Sequence, residues 1–310
     1  MNWPVFLLML LSAAMCCATT VKEQYVAVTG GRVYTRTVGA EKPGVPLLVL
    51  HGGPGTSWDY LEPLEALDRP VVFYDQLGCG NSDRPDDVSL WTVERYAHEV
   101  TEVRAALGLE RIHLLGQSWG AMLAAEYLLR EHPQGVQSCT FSGPLLDANA
   151  WEADQRRYLA ELPPEMQQAV AQAEATGNYD AADYQQAMNT YYAAHVCRLQ
   201  TWPDCLNRAM EKLNMQVYLH MWGPSEFTVT GTLKHSSCLD RLPGIGLPVL
   251  LTCGQFDEAA PATVERFCKL FPNARMVVFE DASHESHLEK TDEYLNALSQ
   301  FLSEAEDNTQ

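Results

Sequence analysis

Arg111-Ile112-His113-Leu114-Leu115-Gly116-Gln117-Ser118-Trp119-Gly120-Ala121-Met122-Leu123-Ala124-Ala125-Glu126-Tyr127-Leu128-Leu129-Arg130 is the stretch from which the rest of the chain can be read. Its first five residues are an apolar run of strand length. Its last ten are strong helix formers. Between them stands Gly-x-Ser-x-Gly, the context a nucleophile elbow requires. The turn is too tight for side chains beside the serine, so glycine is needed on both sides. The elbow lifts the Ser118 hydroxyl above the sheet, and the helix N-terminus beneath it adds a positive dipole and free N–H groups.

Outward from this segment, strands and helices alternate. Gln24–Val28 and Arg32–Arg36 flank Gly30-Gly31 and read as a hairpin. Pro46–Leu50 and Val71–Tyr74 are continuous apolar runs, as for strands buried on both faces. Thr92 to Leu107 carries Val93, Tyr96, Ala97, Val100, Val103 and Leu107 on one helical face, and Gly108 ends it. Val136–Phe141 is a further strand. From about Pro144 to Arg241 the alternation stops. Trp151–Leu162, Pro164–Ala175 and Ala181–Val196 read as polar helices, so residues 144–241 are expected to form an inserted helical lid. The alternation resumes with Leu247–Thr252, a helix near Ala262–Leu270, the strand Arg275–Phe279 and a last helix near Thr291–Phe301. The expected fold is α/β, a mostly parallel sheet with helices on both faces, built from residues 19–143 and 242–310 and capped by the lid.

The 310 residues allow one large domain with such an insertion, and 46% hydrophobic content supplies a sizeable core. A net charge of −19 argues against nucleic acid or an anionic membrane surface as partner, and favours cationic ligands. Val5 to Leu11 is apolar and Ser12–Ala18 ends in small residues, too short a run to span a bilayer comfortably. Residues 1–18 are therefore read as an export signal cleaved near Ala18, although they carry no Lys or Arg. The expected location is periplasmic or secreted, with cytoplasm the alternative. No span is expected to remain after processing. Seven cysteines follow this segment. None forms Cys-x-x-Cys, so neither a zinc site nor a redox motif is supported, and no metal or cofactor is expected. In an oxidising compartment Cys197 and Cys205 are the closest candidates for pairing. Oligomeric state is not legible.

Functional residues of such a sheet gather at the C-terminal ends of its strands. His51-Gly52-Gly53-Pro54-Gly55 follows one strand, and its glycines let backbone N–H groups approach an oxyanion. The expected donors are the N–H groups of Gly53 and Trp119. Alone, the segment also reads as a Gly/Pro turn. Asp75–Ser82 follows the next strand, and either positions the oxyanion loop, lines the pocket or is a structural turn. A serine needs a base and an orienting acid. Asp257 follows the strand ending near Cys253, and His284 follows the last strand. The order Ser118, Asp257, His284 is the one this architecture uses. His287 competes as base but is placed to open the final helix. His51, His98, His113 and His220 read as turn, surface or sheet-edge residues. As base, His284 is expected to act through a pKa of about 6 to 7.

Together, His51–Gly55, Asp75–Ser82, Gly116–Gly120, Asp257 and His284 resemble the proline iminopeptidase family of α/β-hydrolases. The resemblance runs nearly end to end and includes the lid stretch His195–Leu199. Gly223–Thr232 is similar to the lid segment of the tricorn-interacting aminopeptidase branch. There a lid glutamate and the glutamate after the catalytic aspartate hold the substrate's free α-ammonium. The resemblance carries those roles to Glu226 and Glu258, and implies release of N-terminal proline or other apolar residues from a peptide or aminoacyl substrate. Without it, both glutamates read as surface residues. Tyr192, Tyr218, Trp222 and Phe227 either wall an apolar pocket or form the lid's own core. An amino-acid amidase or esterase is the alternative within the fold. A non-catalytic binding scaffold is the alternative from another class, which has no need of a complete triad.

Overall fold

The computed structural model describes residues 19–307, so the N-terminal segment read as an export signal lies outside the described residues. The chain opens with β1 (Val21–Val28) and β2 (Gly31–Val38), an antiparallel hairpin turning at Thr29-Gly30. β3 (Leu47–Leu50), a 3-10 segment at Trp58–Ala66 and β4 (Val71–Tyr74) follow. Next come α1 (Val93–Leu107), β5 (Ile112–Gln117), α2 (Trp119–Glu131) and β6 (Val136–Ser142). Five helices then stand in a row: α3 (Ala148–Glu161), α4 (Pro164–Thr176), α5 (Ala182–His195), α6 (Asp204–Glu211) and α7 (Met215–Met221). The chain ends with β7 (Val249–Gly254), α8 (Pro261–Cys268), β8 (Ala274–Phe279), the short α9 (Ser286–Glu289) and α10 (Thr291–Asp307).

The eight strands form one sheet in the order β1-β2-β4-β3-β5-β6-β7-β8, parallel except where β2 meets β1 and β4. Alternate residues of the central strands serve opposite faces. Leu48, Leu50, Leu114, Phe141 and Leu251 pack with α1, α2 and α8 in one core. Leu47, Val49, Phe73, Leu115 and Leu250 pack with α10 and the 3-10 segment in the other. This double burial is why β3 and β4 are apolar without interruption, and why β5 and β7 are apolar over most of their length. α1 begins where the Thr92 hydroxyl accepts from the Arg95 N–H, and ends at Gly108 in the left-handed region. His113 departs from its sheet-edge reading. It is fully buried inside the central strand β5, between Ser138 Oγ at 2.7 Å and Glu306 Oε1 at 3.0 Å. All seven described cysteines are free thiols, Cys197 and Cys205 included. Among the described residues no helix is long and apolar enough to cross a membrane.

The elbow is where backbone meets backbone. A methyl group on Gly116 would lie 2.1 Å from the Gly120 carbonyl oxygen, and one on Gly120 would lie 2.1 Å from that of Leu50. Neither neighbour is a side chain that can swing aside. Gly120→Ala is therefore expected to destabilise the protein by about 3 kcal/mol or more, through displacement of α2 from β3. Urea unfolding measures it; a midpoint equal to the parent's would rule out this contact.

Candidate active site

Ser118 sits between β5 and α2 with φ 56° and ψ −121°, a conformation a side-chain-bearing residue rarely holds. The elbow is held from both sides. Ser118 N–H donates to the Ser142 carbonyl at 2.9 Å, and the Ser118 carbonyl accepts from Ala121 N–H. The serine opens into a cavity of about 180 Å³ under the five-helix insertion, lined also by Gly53, Tyr192, Tyr218, Glu226, Glu258 and His284. About 150 Å³ suffices for benzene in an apolar protein cavity, so this one suits a single ring-sized group.

The loop after β3 runs past the serine. Gly52 N–H donates to the Tyr60 hydroxyl at 2.7 Å, and that hydroxyl donates to Gln117 Oε1 at 2.6 Å. Tyr60 thus ties the loop to the strand below Ser118. A methyl group on Gly52 would meet Gln117 Oε1 at 2.6 Å and Ser118 Cβ at 3.0 Å, so only glycine lets the loop come this close. Gly53 and Trp119 N–H donate to no acceptor among the described residues, which leaves both for a ligand oxygen.

The Asp75–Ser82 loop supports this arrangement from behind. Gln76 Nε2 donates to the His51 carbonyl at 2.8 Å, and Gln76 Oε1 accepts from the Trp119 indole at 2.9 Å. Burial holds the His51 imidazole down to about 4. The neutral ring accepts from Gln76 N–H at Nε2 and donates from Nδ1 to the Gly52 carbonyl. Asp75 accepts from Trp58 N–H at 2.9 Å and Asn81 N–H at 2.8 Å, bracing the segment that follows the loop. Of the readings open for Asp75–Ser82, positioning of the glycine loop is the one these bonds describe.

Asp257 and His284 leave the ends of β7 and β8 and meet. His284 Nδ1–H donates to Asp257 Oδ1 at 2.8 Å, and the two carboxylate oxygens also accept from Ala259 N–H and Gly254 N–H. The Trp151 ring of α3 stands edge-on to the imidazole at 5.7 Å. His287 is turned elsewhere: its Nε2–H donates to the Tyr60 carbonyl at 2.9 Å, and burial holds the ring down to about 4. It belongs to α9, a turn of its own ahead of the final helix. Ser118 Oγ makes no hydrogen bond to His284. The free imidazole nitrogen, Nε2, instead faces Glu258 Oε1 at 3.5 Å.

Glu226 and Glu258 both line the cavity and lie near enough for the charge of one to act on the other. Glu258 Oε2 accepts from the Tyr191 hydroxyl at 3.1 Å, and Gln155 Nε2 donates to the Glu258 carbonyl at 2.9 Å. The Tyr218 hydroxyl donates to Glu226 Oε1. Burial, then the charge of Glu226, pushes the Glu258 carboxyl well up; burial raises Glu226, with the Tyr218 bond opposing. Burial works against an imidazolium at His284. The charges of Asp257 and Glu258, the Asp257 hydrogen bond and the charge of Glu285 outweigh it and push His284 up to about 10. That departs from the ordinary histidine range read from sequence, because the carboxylates crowding the ring become visible only in three dimensions.

Tyr192 and Tyr218 line the cavity, whereas Phe227 is buried in a core of the inserted helices with Tyr184 and Tyr191. Trp222 is buried against Trp151. The aromatic set thus divides between wall and core. Sequence reading missed Tyr60 and Glu285. Glu285 lines the same cavity, is buried, and burial pushes its carboxyl up to about 8. Its one signal was adjacency to His284. His98 is exposed on α1, and His220 on α7 packs edge-on to Trp91. Among the described residues no group of three or more His, Cys, Asp or Glu is placed to hold a metal ion.

Residues 45–291 match the model of the alpha/beta hydrolase fold family. The chain is 44% identical to the proline iminopeptidase of Heyndrickxia coagulans over 90% of this chain and 98% of the relative. It is 38% identical to that of Lactobacillus helveticus, over 88% and 95% respectively. The crystal structure of proline iminopeptidase from Mycobacterium smegmatis superimposes with a TM-score of 0.87 at 35% identity, covering 93% of this chain and all of that one.

Proposed function

The chain belongs to the proline iminopeptidase family of α/β-hydrolases, and on that premise we propose that it is a serine aminopeptidase releasing proline, or another apolar residue, from the N-terminus of a peptide. Ser118 Oγ attacks the carbonyl carbon of the N-terminal residue while its proton passes to His284 Nε2. The carbonyl oxygen becomes an oxyanion between the N–H groups of Gly53 and Trp119. His284 then gives the proton to the departing amine, and the C–N bond breaks. Water, deprotonated by the same nitrogen, releases the acyl group from Ser118. Asp257 holds the imidazole in the tautomer this needs.

The observation that carries the reading is the pair Glu226 and Glu258 in the wall of a ring-sized cavity that also holds Ser118 and His284. An ammonium that enters loses its water, and carboxylates replace that interaction. Tyr192 and Tyr218 give the same cavity aromatic lining, suited to an apolar residue.

Prolyl-arylamide and its N-acetyl form test this directly. The wild type is expected to cleave the first and leave the second largely intact. Glu226→Gln is expected to lower kcat/KM for the prolyl substrate by tens to thousands of fold, since losing one partner of a buried charge pair costs about 2 to 5 kcal/mol. Equal cleavage of both forms by the wild type would replace the exopeptidase with a general amidase or esterase.

A further inference from the structure

Glu258 Oε1 lies 3.5 Å from His284 Nε2, the nitrogen that has to receive the Ser118 proton, and Ser118 Oγ has no bond to that nitrogen. The base in the substrate-free enzyme therefore faces a carboxylate instead of its nucleophile. The same carboxyl group lies near enough to Glu226 for the charge of one to act on the other. We propose that Glu258 holds the resting enzyme off by pairing with His284, and that the substrate's ammonium draws this carboxylate away and frees the base. The inference rests on the aminopeptidase reading and adds a second role to Glu258, that of a positioning residue acting through His284.

The charges around the imidazole make the direction of the effect plain. Asp257 bonds Nδ1, Glu258 faces Nε2, and Glu285 stands next along the chain. Glu226 approaches from the insertion, where burial and the Tyr218 bond govern its charge. His287 on α9 is neutral, and Trp151 on α3 presents an uncharged ring edge. Burial and Glu226 push Glu258 up as well, while the imidazolium opposes that push, so the facing pair keeps a proton at the Glu258–His284 contact and Nε2 has no free lone pair. An imidazolium cannot take a proton from serine. Arrival of one ammonium between Glu226 and Glu258 supplies the positive charge that the imidazolium supplied before. One proton then leaves Nε2 for solvent, the ring becomes neutral, and the lone pair on Nε2 turns available to the Ser118 hydroxyl. A substrate without an amine anchors poorly and also leaves the base protonated, so selectivity acts on binding and on chemistry together.

Two measurements test the device. The first is the pH profile for hydrolysis of 4-nitrophenyl acetate, an ester with no amine, by wild type and Glu258→Gln. Removing a facing carboxylate is expected to shift the acid limb of kcat/KM down by at least about one pH unit. Near pH 6.5 the variant then hydrolyses this ester about tenfold faster than wild type, while its prolyl-arylamidase activity falls. An ester profile unmoved by Glu258→Gln would reduce Glu258 to an amine anchor and overturn the proposal. The second reads the wild-type enzyme itself. Nitrogen-15 histidine spectra of the wild type at pH 7 are recorded without and with L-prolinol, an uncleavable ammonium, with His284 assigned by its loss in His284→Gln. Conversion of His284 from imidazolium to neutral imidazole is expected on binding. A ring that stays imidazolium with L-prolinol bound would overturn the proposal alone. Failure of L-prolinol to bind at all would bring down the aminopeptidase reading, and the proposal with it.

Discussion

Ser118→Ala is expected to lower kcat for prolyl-arylamide by about 10⁴- to 10⁶-fold while the protein stays folded. The size of the loss follows from covalent chemistry. Without Oγ no acyl-enzyme forms, and the remaining cavity offers only the Gly53 and Trp119 N–H groups and substrate anchoring. The fold should not suffer. Ser118 Oγ makes no hydrogen bond to another described residue, and the elbow is held by backbone bonds to Ser142 and Ala121. Alanine even has one polar atom fewer to bury. The strained φ of 56° remains, because alanine pays about the same steric cost there as serine. The check is single-turnover kinetics beside a circular dichroism melt. A folded variant with activity within tenfold of the parent would remove Ser118 from the chemistry.

His284→Gln is expected to cost activity on the same scale, and His287→Gln very little. Both histidines are buried within three residues of each other, so burial alone does not separate them. Their partners do. His284 bonds Asp257 and lines the cavity. His287 spends its Nε2–H on the Tyr60 carbonyl, with Nδ1 left unpaired. Glutamine can donate to that carbonyl as imidazole does, so His287→Gln should keep kcat within about tenfold and lower stability by about 1 to 3 kcal/mol. Parallel kcat and urea-unfolding measurements on the two variants decide. A collapse of kcat in the folded His287 variant, with His284→Gln active, would exchange their roles.

Residues at strand ends were legible in the amino-acid sequence. Ser118, Asp257 and His284 each come after an apolar run, and parallel strands deliver the residues at their C-terminal ends to one edge of the sheet. The sheet was legible for a related reason: strands buried on both faces leave uninterrupted apolar runs. α6 and α7 were not. They span eight and seven residues, too few turns to establish a period, and they owe their form to packing and anchoring. Lys212, at the end of α6, reaches Asp59 at 2.8 Å, and Asn214 N–H reaches the Gly55 carbonyl at 2.8 Å. Both partners lie more than a hundred residues away in sequence. Glu226 and Glu258 were legible only through family resemblance, because nothing local distinguishes a buried loop glutamate from an exposed one. His284 was placed by chain order, but its electrostatic setting was not, since Glu258 and Glu226 reach it from other segments.

The Glu226 and Glu258 pair in the cavity also bears on the safety of the cell that makes this protein. A peptide bond in the middle of a chain could reach Ser118 only if more chain continued past those carboxylates. On the aminopeptidase reading it would bring a neutral amide where that reading places a cation, and the ring-sized cavity has little room for the extra residues. Folded neighbours, other copies of the enzyme among them, therefore present nothing to cut except a loose amino terminus. On that reading self-digestion is limited to trimming of exposed amino termini.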